Sequence, residues 1–501
     1  MKILDLFQQG HRRPPRSLSP LVPPVRRDSG PARILIAVAG VSLLLAAACA
    51  GHRTSRPRNV LVLCVDALRV DHVGAYGYGR PTTPAIDALA ECGATFEFAL
   101  AASNWTVPAV ASLFTSRYPS EHGATLADEV KNLDVQTPAG LRPEIETVAE
   151  ILRRRGFQTA FFSANPFLRD SLARGFVTAR TETRQADGLV DDVLAWLSKA
   201  GPAPFFAYVH FMDLHQPIQV PQPFFTLFPS DDGGERLAKH GGWGGFGRRA
   251  NFDDPKFLAF RSHRIAVYDG AIRFVDTQVH RLLAALDGGS RLEDTLVIVT
   301  ADHGEELWDH AREERAQGAD PRGYAGIGHG HSMYQELLRV PLVVSGPRVA
   351  HGRRVNCPTS HLDVVPTLLD LLGIAPPPGL RGSIRSALLR RGAAPEDCIR
   401  APLFAESPAY GPATRVVVER PLKLIARSGA PPLLFDLSRD PGERTDLAAA
   451  RPETVAALAK RLADALPIEV AERPVRQLAL DAETRERLLS LGYLSQGALG
   501  R

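Results

Sequence analysis

The sequence predicts an α/β fold: a mostly parallel central sheet covered on both faces, followed by a small antiparallel subdomain. Three observations predict it. Apolar runs that read as fully buried strands recur and end in polar residues, at Asn59–Asp66, Phe205–His210 and Leu296–Asp302. Helical patterns intervene at Thr83–Cys92, Glu144–Arg155, Val190–Lys199, Phe260–Leu286 and Asp363–Leu372, with shorter strands expected at Thr159–Ser163 and Val340–Ser345. Strands alternating with helices in this way argue for parallel pairing. Beyond about residue 401, Thr414–Ile425 and Leu433–Leu437 alternate like antiparallel strands, and Pro452–Leu466 reads as a helix.

The 501 residues are 45% hydrophobic and 23% charged, a composition that suits one large core and a smaller appendage. The net charge of +4 is concentrated in residues 1–33, which carry seven basic and two acidic side chains. The remainder is close to neutral and gives no reason to expect nucleic-acid binding. Residues 1–33 read as a disordered, Pro/Arg-rich extension. Ile34–Gly51 is an uncharged apolar run of 18 residues behind Arg26, Arg27 and Arg33. It predicts an export signal or a membrane anchor, with the body outside the cytoplasm and the membrane as a partner. Cys49 follows three alanines and resembles a bacterial lipoprotein site, which implies a periplasmic location. Of five cysteines, Cys92, Cys357 and Cys398 have neither metal nor redox spacing, and Cys357–Cys398 is a candidate disulfide.

The stretch Ser103–Ser116 organises the rest. Pro108 suits a first helical turn, and Val107, Val110, Ala111 and Phe114 then share one helical face. Thr106 therefore sits at a helix N-terminus, where unpaired N–H groups favour an anionic phosphate or sulfate. Taken alone, Thr106 reads first as a helix cap, because threonine is common there. Asp66 and Asp302-His303, however, also stand at the ends of buried strands, where open α/β sheets place ligands. Asp66, Thr106, Asp302 and His303 together suit one divalent cation. Such a cation would activate the threonine hydroxyl as a nucleophile.

Several stretches carry a family resemblance. They are Val65–His72 with Tyr76-Gly77-Tyr78, Thr82–Ala90, Thr106–Val110, Arg117-Tyr118-Pro119, Asp302–Glu305, His329–Pro341, Asp363–Asp370 and Leu434–Glu443. Over roughly residues 58–450 the chain resembles the sulfatase branch of the alkaline-phosphatase superfamily. The resemblance implies a three-layer sandwich with a catalytic domain at 58–405 and a small C-terminal subdomain at 406–470; the tail at 471–501 reads as a short amphipathic helix near 481–493, capped by Asp481 and ended by Gly492.

The departures carry as much information as the matches. Thr106-Val107-Pro108-Ala109-Val110 stands where sulfatases have Cys/Ser-x-Pro-x-Arg. Threonine cannot yield the formylglycine aldehyde, and Val110 replaces the motif arginine, so no formylglycine is expected. The second aspartate of the family's calcium pair is Ala67, and a later Asp-Asn is Asp302-His303. Losing a carboxylate and gaining an imidazole favours Mn²⁺, Zn²⁺ or Mg²⁺ over Ca²⁺. His215 resembles the family's substrate-contacting histidine and is expected to assist the leaving group. His329 or His331 falls near its substrate-binding lysine, and a second cation at His215, His329 and His331 is an open alternative. Ala311–Ala325 reads as a loop insertion beside the site. The expected function is hydrolysis of a phosphate, phosphonate or sulfate ester on a small molecule, glycan or lipid. A phosphoglycerol- or phosphoethanolamine-type transferase and a non-catalytic binding protein are the alternatives.

Overall fold

The computed structural model describes residues 55–466, except 127–138, 231–250, 319, 322, 391–397, 399–400 and 407. The N-terminal extension, the apolar run at 34–51 with Cys49, and the tail with its helix near 481–493 lie outside the described residues. Among the described residues, no helix is long and apolar enough to cross a membrane.

Eight strands form the central sheet: β1 (Asn59–Val65), β2 (Gly93–Phe96), β3 (Gln158–Ser163), β4 (Thr178–Thr181), β5 (Phe205–Phe211), β6 (Thr295–Thr300), β7 (Leu342–Ser345) and β8 (Arg353–Val355). Their order across the sheet is β8-β2-β7-β6-β1-β5-β3-β4. All pairs are parallel except the two made by β7, which runs against β2 and β6. The strand expected at Val340–Ser345 divides at Pro341, which has no N–H to give a ladder: Arg339–Val340 pairs instead with Ala99–Leu100.

Every residue of β1, β5 and β6 is buried. Both faces are therefore covered, which explains the unbroken apolar runs. Among the described residues, the helices of more than one turn around this sheet are α1 (Pro84–Glu91), α2 (Thr106–Thr115), α3 (Val148–Arg154), α4 (Ala186–Lys199), α5 (Pro255–Gly288), α6 (Ala311–Gln317) and α7 (Val364–Leu372). α5 packs on α1 and α4, and α2 packs on α3 and α7. Residues 311–325 are not simply an inserted loop, because α6 occupies their first half. Its charged sequence, with no apolar stripe to read, hid the helix.

Register brings the chemistry to one edge. Cys64 on β1 lies opposite His210 on β5 and Thr300 on β6. Asp66 and Asp302 each follow two residues later, so they emerge level at the carboxyl edge.

The small sheet comprises β9 (Leu403–Glu406), β10 (Thr414–Glu419), β11 (Leu422–Arg427) and β12 (Leu433–Asp436), all antiparallel, with α8 (Pro452–Ala465) alongside. Its alternate residues face opposite ways, as a strand period of two requires. Val416, Val418 and Ile425 pack against Phe98, Leu100, Met333 and Leu338 of the main body. Val417, Leu424 and Leu434 pack against Leu458 and Leu462 of α8. The subdomain boundary expected after residue 405 falls inside β9. The Cys357–Cys398 disulfide is present, with Cα atoms 5.5 Å apart.

α1 is capped from a distance. The buried Asp276 on α5 accepts from Ala85 N (3.0 Å) and Ile86 N (3.0 Å) at its first turn. Replacing Asp276 with Ala leaves two buried donors without a partner. It should cost about 1–3 kcal/mol in a denaturant titration, and Asp276→Asn, which keeps an acceptor, should cost less.

Candidate active site

The site is a buried knot of polar side chains at the carboxyl ends of β1, β5 and β6. Asp66, His210, Asp302 and His303 are all fully buried. Thr106 is the first residue of α2, and its oxygen turns to this knot rather than capping its own helix. Thr106 Oγ1 lies 3.4 Å from Asp66 Oδ2 and 3.3 Å from His303 Nε2. Asn165 Nδ2 donates to Asp66 Oδ2 (3.0 Å) and approaches Thr106 Oγ1 (3.4 Å). Its Oδ1 accepts from Phe167 N (3.0 Å), which settles which end of the amide faces inwards.

Both imidazoles are held by their outer nitrogens. His303 Nδ1 lies 2.8 Å from the Gly304 carbonyl, which can only accept, so the lone pair of the neutral ring is on Nε2 and faces the carboxylates. His210 Nδ1 lies 2.8 Å from the Tyr208 hydroxyl, and its Nε2 is 3.2 Å from Asp66 Oδ2.

The donor set fits a divalent cation. Ligating atoms of Asp66, His210 and Asp302 all lie within 4.8 Å of one another. His303 Nε2 is 3.4 Å from Asp302 Oδ2 and 3.7 Å from Asp66 Oδ1. Asp66 Oδ1 and Asp302 Oδ2 are buried with no hydrogen-bond donor, and buried acceptors of that kind demand a partner. The two carboxyls titrate apart. Burial alone would raise Asp66, but the hydrogen bond from His210 and the nearby imidazoles hold it far below the ordinary range. Burial and then the Asp66 charge push Asp302 up.

Residues 58–374 match the family profile described as Sulfatase. The chain belongs to the sulfatase family. It is 28% identical to mouse steryl-sulfatase over 78% of this chain and 78% of that protein. It is 28% identical to human arylsulfatase A over 83% of this chain and 89% of that protein. Among solved structures, the phosphonate monoester hydrolase of Agrobacterium radiobacter superposes with a TM-score of 0.63 at 23% identity, covering 85% of this chain and 100% of that one. The family consists of ester hydrolases whose members generally bind a divalent metal ion.

Of the residues singled out in the sequence, Asp66, Thr106, Asp302 and His303 come together as a group. His215 and His329 form a rim beside them. The His329 ring is 4.2 Å from that of His303 and 5.0 Å from that of His215, centroid to centroid. His329 Nδ1 lies 3.3 Å from Glu305 Oε1, and burial pushes the Glu305 carboxyl up to about 7. His331 is not brought to this rim by its own pairing: its Nε2 lies 3.1 Å from the buried Glu314 of α6. Gly330, at φ 83°, turns the chain between the two histidines, and a Cβ there would press on Ala409 and Tyr410.

Sequence reasoning missed His210 and Asn165. A histidine closing an otherwise apolar buried strand is a usable signal for His210. Nothing local marks Asn165, which follows β3 by two residues. Elemental analysis checks the cation assignment: Asp302→Ala should lower the content by one divalent ion per chain with the fold retained. Undiminished content would contradict it.

Proposed function

We propose that the chain hydrolyses a phosphate, phosphonate or sulfate ester through Thr106 as nucleophile and with a bound divalent cation. The observation that carries this reading is the place of Thr106 Oγ1. It lies within 3.4 Å of Asp66, His303 and Asn165, at the N-terminus of a ten-residue helix. Two of the relatives are named as sulfatases and the structural neighbour as a phosphonate monoester hydrolase, which supports the sulfate and phosphonate parts of this reading. Thr106 and the fully buried Val110 stand where the formylglycine motif has its modified residue and its arginine, which favours the unmodified hydroxyl.

A cation held by Asp66, His210, Asp302 and His303 would lower the hydroxyl pKa of Thr106 and offset the negative charge of the ester. Asn165 Nδ2 and the first amides of α2 hold the anionic oxygens next to Thr106 Oγ1. Thr106 gives up its hydroxyl proton to solvent, its Oγ1 attacks the central atom, and the bond from that atom to the alcohol oxygen breaks. His215 or His329 gives that departing oxygen a proton, with Glu305 accepting from His329 Nδ1. Water then attacks the same atom, returns a proton to that histidine, and the released Thr106 oxygen takes up a proton again. The substrate is an ester on a small molecule, glycan or lipid.

We also infer that the body lies outside the cytoplasm, tethered through residues 34–51, because of the basic residues that precede that run. Fractionation should recover it outside the cytoplasm; a full-length soluble cytoplasmic protein would overturn this.

Aryl phosphate, phosphodiester, phosphonate and sulfate esters form the assay panel. Thr106→Ala should lose roughly 10³-fold or more in kcat on the best substrate, and Thr106→Ser should keep a measurable part. Wild-type turnover by Thr106→Ala would make water the nucleophile and end this reading.

A further inference from the structure

The small sheet turns one face to the main body, and two basic residues of β11 stand on that face. Strand residues alternate, so Lys423 and Arg427 share a side with Ile425, which packs with Met333 and Leu338. Lys423 is fully buried and has its counter-charge: Nζ lies 2.7 Å from Glu443 Oε1. Arg427, half-buried at the end of the strand and opposite Thr414, has none. Among the described residues no carboxylate pairs with it, and its Nε is buried with no hydrogen-bond partner. A buried donor on a charged group demands an acceptor.

Arg427 lines a cleft between the small sheet and residues 331–334. The cleft is open to solvent and holds about 330 Å³ of empty space, counting its mouth. Ser332 lines it too. That residue is 7% exposed, and its Oγ is buried with no hydrogen-bond partner. A guanidinium and a hydroxyl from separate parts of the chain therefore meet in one cleft, and neither has an acceptor there. The neighbouring polar groups do not supply one. The Thr414 hydroxyl donates to the Pro412 carbonyl (2.9 Å). Glu314, the partner of His331, takes the His331 Nε2 proton (3.1 Å) and the Gly326 N–H (2.6 Å).

We propose that Arg427 and Ser332 bind a tetrahedral oxyanion, phosphate or sulfate, in this cleft. The guanidinium offers a planar pair of N–H groups to two oxygens. The hydroxyl is a third donor, which phosphate and sulfate meet with a third oxygen and a carboxylate does not. The cleft is separate from the catalytic centre but shares a chain segment with it. The Ser332 carbonyl accepts from Nδ2 of Asn104 (2.6 Å), two residues before Thr106, and His329 stands three residues before Ser332. The oxyanion is a free ion or a second anionic group carried by the substrate. The site itself does not depend on how Thr106 acts; the second source rests on the ester chemistry proposed above.

The test is equilibrium dialysis of the full-length protein against radiolabelled inorganic phosphate, repeated with sulfate. Arg427→Gln should bind one ion fewer per chain than the wild type, and Ser332→Ala should bind that ion about tenfold more weakly. Binding at the catalytic centre cancels in the comparison. Far-UV circular dichroism reports whether Arg427→Gln folds; if it does not, Ser332→Ala, which loses a single oxygen atom, decides the matter. Folded variants that match the wild type in content and affinity overturn the proposal and leave the cleft to water. A second arm separates the sources: KM is measured for the best ester of the panel with and without a second phosphate or sulfate group. A rise of about tenfold in Arg427→Gln for the doubly charged ester alone, at unchanged kcat, assigns the anion to the substrate. Unchanged KM for both esters assigns it to a free ion. Failure of the threonine mechanism would show in Thr106→Ala turnover and in neither arm.

Discussion

Two buried carboxylates, Asp66 and Asp302, face one another at the carboxyl edge of the sheet, and the site is built to hold them there. Both are fully excluded from water. At the separations seen here, two such charges repel by roughly 3–4 kcal/mol for an effective dielectric constant of about 20. Burial adds the cost of desolvation to each. His210, His303, Asn165 and Thr106 converge on them from four different chain segments, and only a cation or protons can balance what remains. The pair cannot relax apart, because parallel pairing of β1 with β5 and β6 fixes the positions from which both aspartates emerge.

The rest of the molecule serves that edge. α2 is seated by Val107, Val110, Ala111 and Phe114 in the main core, which leaves its first residue facing the carboxylates. Asn104, just before it, donates from Nδ2 to the Ser332 carbonyl (2.6 Å), and its own carbonyl accepts from Gly330 N (3.0 Å). These two bonds bring the His329 segment beside the nucleophile. The small sheet closes over the same segment through Met333 and Leu338, so the C-terminal subdomain helps to position the rim of the site.

The legibility of these features in the sequence follows from their physics. β1, β5 and β6 were readable because strands buried on both faces must be continuously apolar. α2 was readable from Pro108 and a helical apolar face. Asp66, Asp302 and His303 were readable because they end such strands. His210 carried a local signal, a histidine within an apolar buried strand, but its partnership with Asp66 depends on register across the sheet, and nothing local marks Asn165. His329 and His331 could not be told apart, because the turn at Gly330 decides where each points. α6 stayed hidden because its contribution is charge, through Glu314 and His310, and not an apolar stripe. The family resemblance supplied the order of the motifs but not the contacts between their side chains.

The central claim is that Thr106 forms a covalent intermediate, so that the reacting atom undergoes two displacements. The most direct measurement is the stereochemical course of hydrolysis of an ester made chiral at phosphorus with oxygen isotopes. Two in-line displacements, first by Thr106 and then by water, predict net retention of configuration. Net inversion would mean a single attack by water and would contradict the account.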